Sequence, residues 1–337
     1  MHEALFWAEL PEKKVQCRLC RFRCMIPPGG RGRCRVRENR DGKLYSLVYG
    51  RAIAEAVDPI EKKPLYHFLP GSRSYSIATV GCNFSCLHCQ NADISQPTPE
   101  MVSCGGFALP PRVAVERAVA EGCASIAYTY TEPTIFFEYA WDMARLARDR
   151  GIRNVFVTNG YTSEEALTAI APLLDAANVD LKFFSEKSYR EVTGGSLQEV
   201  LDSLRVYKRL GIWVEITTLI IPGFNDGEEE LRQIAGFVAS ELGVGTPWHV
   251  TAFHPTYKML DVPRTPPSTL RRAREIGIGE GLLHVYEGNL ASGEGESTFC
   301  PSCRKKVIDR RGFSLCASHM ADGKCGFCGE ALAGVWK

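Results

Sequence analysis

With 337 residues, 45% hydrophobic and 23% charged, the chain has the make-up of a large folded domain with room for small appendages. A net charge of +1 excludes a whole-molecule electrostatic pull on nucleic acid or acidic surfaces. No apolar run of roughly 18 residues predicts a membrane span, and Met1–Leu10, with Glu3 and Glu9, lacks the basic start and apolar core of a signal peptide.

Residues 1–50 read as a basic, cysteine-bearing unit. The pattern is Cys17-x2-Cys20-x3-Cys24-x9-Cys34, and eleven Lys or Arg between Lys13 and Lys43 face only Glu38 and Asp41. So short a segment has few large apolar residues, so a metal is the expected staple. Zinc and a second iron–sulfur cluster both fit the spacing. The arginines either compensate thiolate charge or grip an anion, RNA included. Residues 51–74 follow as a connector. Leu44–Tyr49 alternates like a strand, whereas Asp58–Phe68 shows neither helical nor strand period and reads as a surface connector or a wall of the active-site mouth.

Residues 75–295 alternate apolar runs with helical patterns. Strands are expected at Tyr75–Val80, Ser125–Tyr130, Arg153–Thr158, Asn178–Leu181, Trp213–Leu219 and His249–Phe253, with a further strand at Leu282–Tyr286. Helices are expected between them at 111–121, 133–150, 163–174, 197–210, 228–242 and 267–276, several opening on proline and closing at glycine. The expected fold is α/β, an open (β/α)6 partial barrel with parallel strands and right-handed crossovers. Residues 296–337 carry two CxxC knuckles, Cys300/Cys303 and Cys325/Cys328, around short strands near Val307 and Leu315. This is the form of a zinc ribbon or rubredoxin-like knuckle, with Cys316 and His319 spare.

The fourteen cysteines fall largely into three clusters, which reads as metal ligation in a reducing, cytoplasmic location. The middle cluster is distinctive. Cys82-x3-Cys86-x2-Cys89 directly follows the first core strand, and no fourth cysteine is close behind. Closed zinc sites and ordinary 4Fe–4S sites take four protein ligands. Three thiolates on one loop therefore predict a cubane with one iron left open, and these cysteines are the catalytic candidates. Ligands in open parallel α/β domains bind beyond the C-terminal strand ends. Those ends supply Tyr130-Thr131-Glu132, Thr158-Asn159-Gly160, Asp180-Leu181-Lys182, Glu215 with Thr217, and Phe253-His254.

Together these motifs resemble the radical S-adenosylmethionine (SAM) superfamily, in particular enzymes like the pyruvate formate-lyase activating enzyme. With the N-terminal cysteines, "DPIEKKPLYHFLPGS", "GCNFSCLHCQNADISQ", "YTYTEPT", "IIPGFND", "FHPTYKM" and the tail through Trp336, the chain resembles the AmmeMemoRadiSam system radical SAM enzymes. The resemblance implies a 4Fe–4S cluster on Cys82, Cys86 and Cys89 whose open iron is chelated by SAM. One electron from reduced flavodoxin or ferredoxin would then yield methionine and a 5′-deoxyadenosyl radical that abstracts substrate hydrogen. It implies SAM contacts at Asp180, Lys182, Asn159 and His254, and at Tyr130-Thr131-Glu132 in place of a Gly-Gly-Glu segment. By chemistry, Glu132 suits the SAM amino group, Lys182 and His254 its carboxylate, Asn159 and Asp180 the ribose, and apolar surface near Phe84 and Ile220-Ile221 the adenine. The substrate is a backbone glycine of a glycyl radical enzyme or, alternatively, a small molecule or RNA. A non-enzymatic, metal-stapled binding protein is the rival from another class.

Overall fold

The computed structural model describes residues 1–290 and 294–337. Its centre is one eight-stranded sheet with strands in sequence order. These are β1 (Ala54–Pro59), β2 (Arg73–Ala78), β3 (Ser125–Tyr128), β4 (Arg153–Thr158), β5 (Ala176–Asp180), β6 (Trp213–Ile220), β7 (Trp248–Ala252) and β8 (Val285–Gly288). From β2 to β8 every neighbouring pair is parallel. Helices α1 (Pro111–Ala120), α2 (Phe137–Arg148), α3 (Glu164–Ile170), α4 (Leu197–Arg209), α5 (Glu228–Phe237) and α6 (Pro267–Gly279) make the crossovers. The parallel strands β2–β8 are buried almost throughout, as expected where helices cover a parallel sheet.

The sheet is open, because β1 and β8 are both edges, as a partial barrel requires. It exceeds the expected six units in two ways. The seventh parallel strand forms, three residues later than expected. The segment expected as a connector supplies β1, which pairs antiparallel with β2 from Ala54↔Ala78 to Pro59↔Arg73. Its alanines alternate weakly with charge, so its pairing with a buried neighbour, and not its own period, makes it a strand.

The lower end of the barrel is plugged. Glu215, near the N-terminal end of β6, is fully buried and accepts the Tyr66 and His67 amides at 2.9 and 2.7 Å and Trp213 Nε1 at 3.1 Å, and lies 2.7 Å from His249 Nε2. It is therefore remote from the mouth where the sequence reading set it. The C-terminal tail closes the same end, with Val335 N on His67 O and Leu69 N on Val335 O, both 2.7 Å.

The N-terminal unit, two three-stranded sheets of short strands, docks beside the other end. Arg37 and Glu138 form a buried ion pair at 2.8 Å. Gly81 (φ +100°) lies against it, and a β-carbon there would stand 2.8 Å from Val36 Cγ1. The Cα hydrogen alone permits this approach. Most of the arginines that suggested an anion grip are spent on docking or pairing. Arg21 bonds Thr162 O, Ser203 and Glu199, Arg33 bonds Gly194 O, and Arg31 and Arg40 share Glu38.

Candidate metal and cofactor site at the barrel mouth

The loop Gly81–Gln90 leaves β2 at its C-terminal end and is held by the backbone. Ser85 N and Leu87 N donate to Thr193 O and Val192 O, both at 2.9 Å, Gly81 N donates to Ile94 O at 2.9 Å, and Leu87 O accepts Lys258 N at 3.0 Å. Gln96 Nε2 adds 2.9 Å to Phe84 O. The carbonyls of Val192 and Thr193 come from a π-turn, Tyr189–Thr193, which closes at Gly194 (φ +78°). Such turns expose carbonyls that an α-helix would use internally. The loop is thus shaped by hydrogen bonds within the chain.

Cys82, Cys86 and Cys89 gather on it. Cys82 Sγ accepts Phe84 N at 3.4 Å and Asn159 Nδ2 at 3.8 Å, and Cys89 Sγ lies 3.2 Å from Ser95 Oγ. Burial, followed by the Glu132 charge, pushes the Cys82 thiol well above its ordinary value. Burial pushes Cys86 up to about 12, with Lys182 pulling the other way. Buried thiols with aligned N–H donors become thiolates when a cation binds. Among the remaining cysteines, Cys104 is exposed and Cys123 is buried at the α1–β3 junction. The residues present fit a three-thiolate cluster.

Around this loop the strand ends converge, with divided roles. Lys182 pairs with Asp180 at 2.7 Å. Burial lowers its pKa, but Asp180 and Cys86 together raise it above the ordinary lysine value. It is a fixed cation beside the cysteines. His254 is exposed just past β7, on the segment whose Lys258 holds the loop. Tyr130 (φ +62°) and Thr131 are tied to the two ends of the cysteine loop through Asn91 Nδ2→Tyr130 O at 2.7 Å and Thr131 Oγ1→Thr79 O at 2.8 Å.

Three expected SAM contacts have other work. Glu132 Oε1 accepts Thr134 N, Thr134 Oγ1 and Thr158 Oγ1 at 2.6–3.0 Å, and Oε2 accepts Asn159 N at 2.8 Å. It caps the turn Pro133–Phe136 and is 1% exposed, so its carboxylate is engaged by four protein donors. Asn159 spends Nδ2 on Asn83 Oδ1 at 2.8 Å and Oδ1 on Tyr161 N at 3.0 Å. It braces the cysteine loop. The Phe84 ring is buried among Phe22, Tyr161 and Tyr189, against Gly195, and is core, not an adenine shelf.

The sequence reading missed Asp58 and Lys63. Asp58 accepts Lys63 Nζ at 2.6 Å, Ser76 Oγ at 2.8 Å and Tyr130 Oη at 2.5 Å. Burial pulls the Lys63 pKa down to about 8 against the pull of Asp58. The available signal was the charge density of Asp58–Lys63 beside a strand. At the far end of the chain, Cys300, Cys303, Cys325 and Cys328 place their sulfurs within 4.8 Å of one another, while Cys316 is exposed and outside the group. No helix among the described residues is long and apolar enough to cross a membrane.

The chain is similar to several known proteins. The radical SAM superfamily model matches residues 76–237. An uncharacterized protein of Methanocaldococcus jannaschii is 44% identical over 98% of this chain and 99% of its own length. The pyruvate formate-lyase-activating enzyme of Clostridium pasteurianum is 24% identical over 50% of this chain and 70% of that enzyme. The crystal structure of Streptococcus suis SuiB bound to S-adenosylmethionine aligns with TM-score 0.52 at 14% identity, over 68% of this chain and 53% of that one. The last shows a shared fold.

Proposed function

This chain belongs to the radical SAM superfamily and is a radical SAM enzyme, and from that premise we propose that it takes hydrogen from a polypeptide, as a glycyl-radical-enzyme activase does. The observation that carries the reading is a loop held by backbone hydrogen bonds that carries three cysteines, Cys86 buried and Cys82 and Cys89 half-buried, with no fourth cysteine on the same loop among the described residues, at the strand ends of an open parallel sheet. A 4Fe–4S cluster with bound SAM supplies, on one-electron reduction, methionine and a 5′-deoxyadenosyl radical that removes a hydrogen atom.

The protein's share is orientation. Cys82, Cys86 and Cys89 would hold the cluster, with Phe84 N and Asn159 Nδ2 donating to Cys82. Lys182, fixed by Asp180, would hold the SAM carboxylate beside Cys86, with His254 at the rim. The backbone of Tyr130-Thr131 is left to meet the amino group, since Glu132 is occupied. An open barrel mouth would admit a polypeptide loop, and relatives named as activating enzymes support a protein substrate and a flavodoxin or ferredoxin donor. The RNA alternative loses support because most arginines of the N-terminal unit are spent on the protein. We assign zinc to the C-terminal cysteines. The 3.6 and 3.7 Å separations of Cys300–Cys328 and Cys303–Cys325 match the roughly 3.8 Å expected between ligands of one tetrahedral ion with ~2.3 Å bonds. Units 1–50 and 296–337 flanking the barrel, and a cytoplasmic location, complete the reading.

The substrate is tested by supplying an α-deuterated glycine-loop peptide of a glycyl radical enzyme to the reduced, SAM-loaded protein. Deuterium in the recovered 5′-deoxyadenosine supports the reading. Ready SAM cleavage without transfer from any such peptide removes it.

A further inference from the structure

The N-terminal cysteines are not built like the C-terminal four. Cys17, Cys20, Cys24 and Cys34 line one small cavity with Leu19, Arg37, Asn83 and Ile135. Yet among the described residues the C-terminal group is the one set of three or more such donors lying within 4.8 Å of one another. The N-terminal thiols surround a common space at wider separation. Cys82, Cys86 and Cys89 share this wider spacing. One tetrahedral zinc draws four sulfurs to roughly 3.8 Å. The four irons of a cubane hold their thiolates further apart, because each sulfur sits on its own metal.

The cavity wall adds a second observation. Asn83 Nδ2 and Arg37 Nε are buried N–H groups with no hydrogen-bond partner, on side chains 1% and 2% exposed, and both residues line this cavity. Every other polar atom of Arg37 is used: Nη1 on Glu138 and Nη2 on Leu5 O. Two orphaned donors beside four thiols call for an acceptor with many faces, since a buried donor left unpaired costs about 1–3 kcal/mol. The sulfides and thiolates of an iron–sulfur cluster provide such faces; a zinc ion enclosed by four sulfurs has no sulfide to offer.

We propose that Cys17, Cys20, Cys24 and Cys34 hold a second 4Fe–4S cluster, closed by four protein thiolates, whose sulfur atoms accept Asn83 Nδ2–H and Arg37 Nε–H. Asn83 lines this cavity and also follows Cys82 of the mouth loop in sequence. The site does not depend on the substrate reading.

The test is metal and acid-labile sulfide content of the anaerobically reconstituted full chain carrying Cys82→Ala, Cys86→Ala and Cys89→Ala. The proposal expects about four irons and four sulfides to remain, with a reducible EPR signal that SAM does not perturb. Zinc in place of iron, or loss of all labile sulfide, overturns it. Should the triple variant not fold, the unsubstituted protein decides: about eight sulfides per chain support the second cluster and about four refute it. Asn83→Leu in the triple variant removes an N–H donor and should lower the midpoint potential of the remaining cluster; an unchanged potential refutes the assigned hydrogen bond.

Discussion

Removing Glu138 tests how the N-terminal unit is fixed to the barrel. Its carboxylate accepts Arg37 Nη1 at 2.8 and 3.0 Å and Leu5 N at 2.7 Å, and the pair is 2% and 1% exposed. Burial alone would pull the Arg37 pKa down, and Glu138 outweighs it, so the guanidinium stays charged. Glu138→Ala takes the carboxylate partner from that buried charge, a change that costs about 3–5 kcal/mol. Replacing both partners, as Arg37→Met with Glu138→Leu, should recover most of the loss, because an apolar pair of similar volume is often neutral. Anaerobic urea denaturation measures the energies, and amide hydrogen exchange over residues 1–50 locates them. A loss below about 1 kcal/mol for Glu138→Ala, with unchanged exchange in that unit, would show that the ion pair is solvated and the docking lies elsewhere.

Other perturbations separate cap from ligand and charge from burial. Glu132→Ala strands four donors and should destabilise the chain by about 3 kcal/mol or more, read by the same denaturation; an undisturbed midpoint would return Glu132 to ligand binding. Lys182→Met keeps the stem but removes the cation, and should weaken SAM binding about tenfold or more by calorimetry on cluster-loaded protein. His67 and His284 are neutral in the fold, since burial holds His67 well below the usual range and pulls His284 down to about 4. The unfolded chain protonates both below its ordinary pKa of about 6.5, so their stability is intact above that pH and lost as pH falls toward 4, at up to about 2.7 kcal/mol per pH unit for two protons. His284→Phe should remove about half of that slope between pH 6 and 5, whereas an unchanged slope would place the acid sensitivity elsewhere.

Much of the core was legible because parallel strands buried on both faces read as apolar runs, and Pro111, Pro267 and the helix-end glycines mark their helices. Arg153–Thr158 is found at its expected bounds, and the loop Cys82–Cys89 at its expected strand end. The failures share one cause: a side chain's partner lies far along the chain. Glu132 appears as a free acid until Thr158 and Asn159 fold onto it. Glu215 lies in a strand whose apolar run names no end, and only the amides of Tyr66 and His67, nearly 150 residues earlier, show that it faces the plugged base. The basic run from Lys13 to Lys43 resembled an anion grip because Glu138, Glu199 and Thr162 are invisible from it. Ala54–Pro59 is a strand by virtue of its neighbour, which no local period reports.

The measurement closest to the central claim is 5′-deoxyadenosine formation by anaerobically reconstituted protein given SAM and dithionite. The account predicts product from the unsubstituted chain, none from Cys82→Ala, Cys86→Ala or Cys89→Ala, and retained product when Cys303→Ser removes a C-terminal ligand. No product from protein whose iron and sulfide are shown to be loaded at the barrel mouth would contradict it.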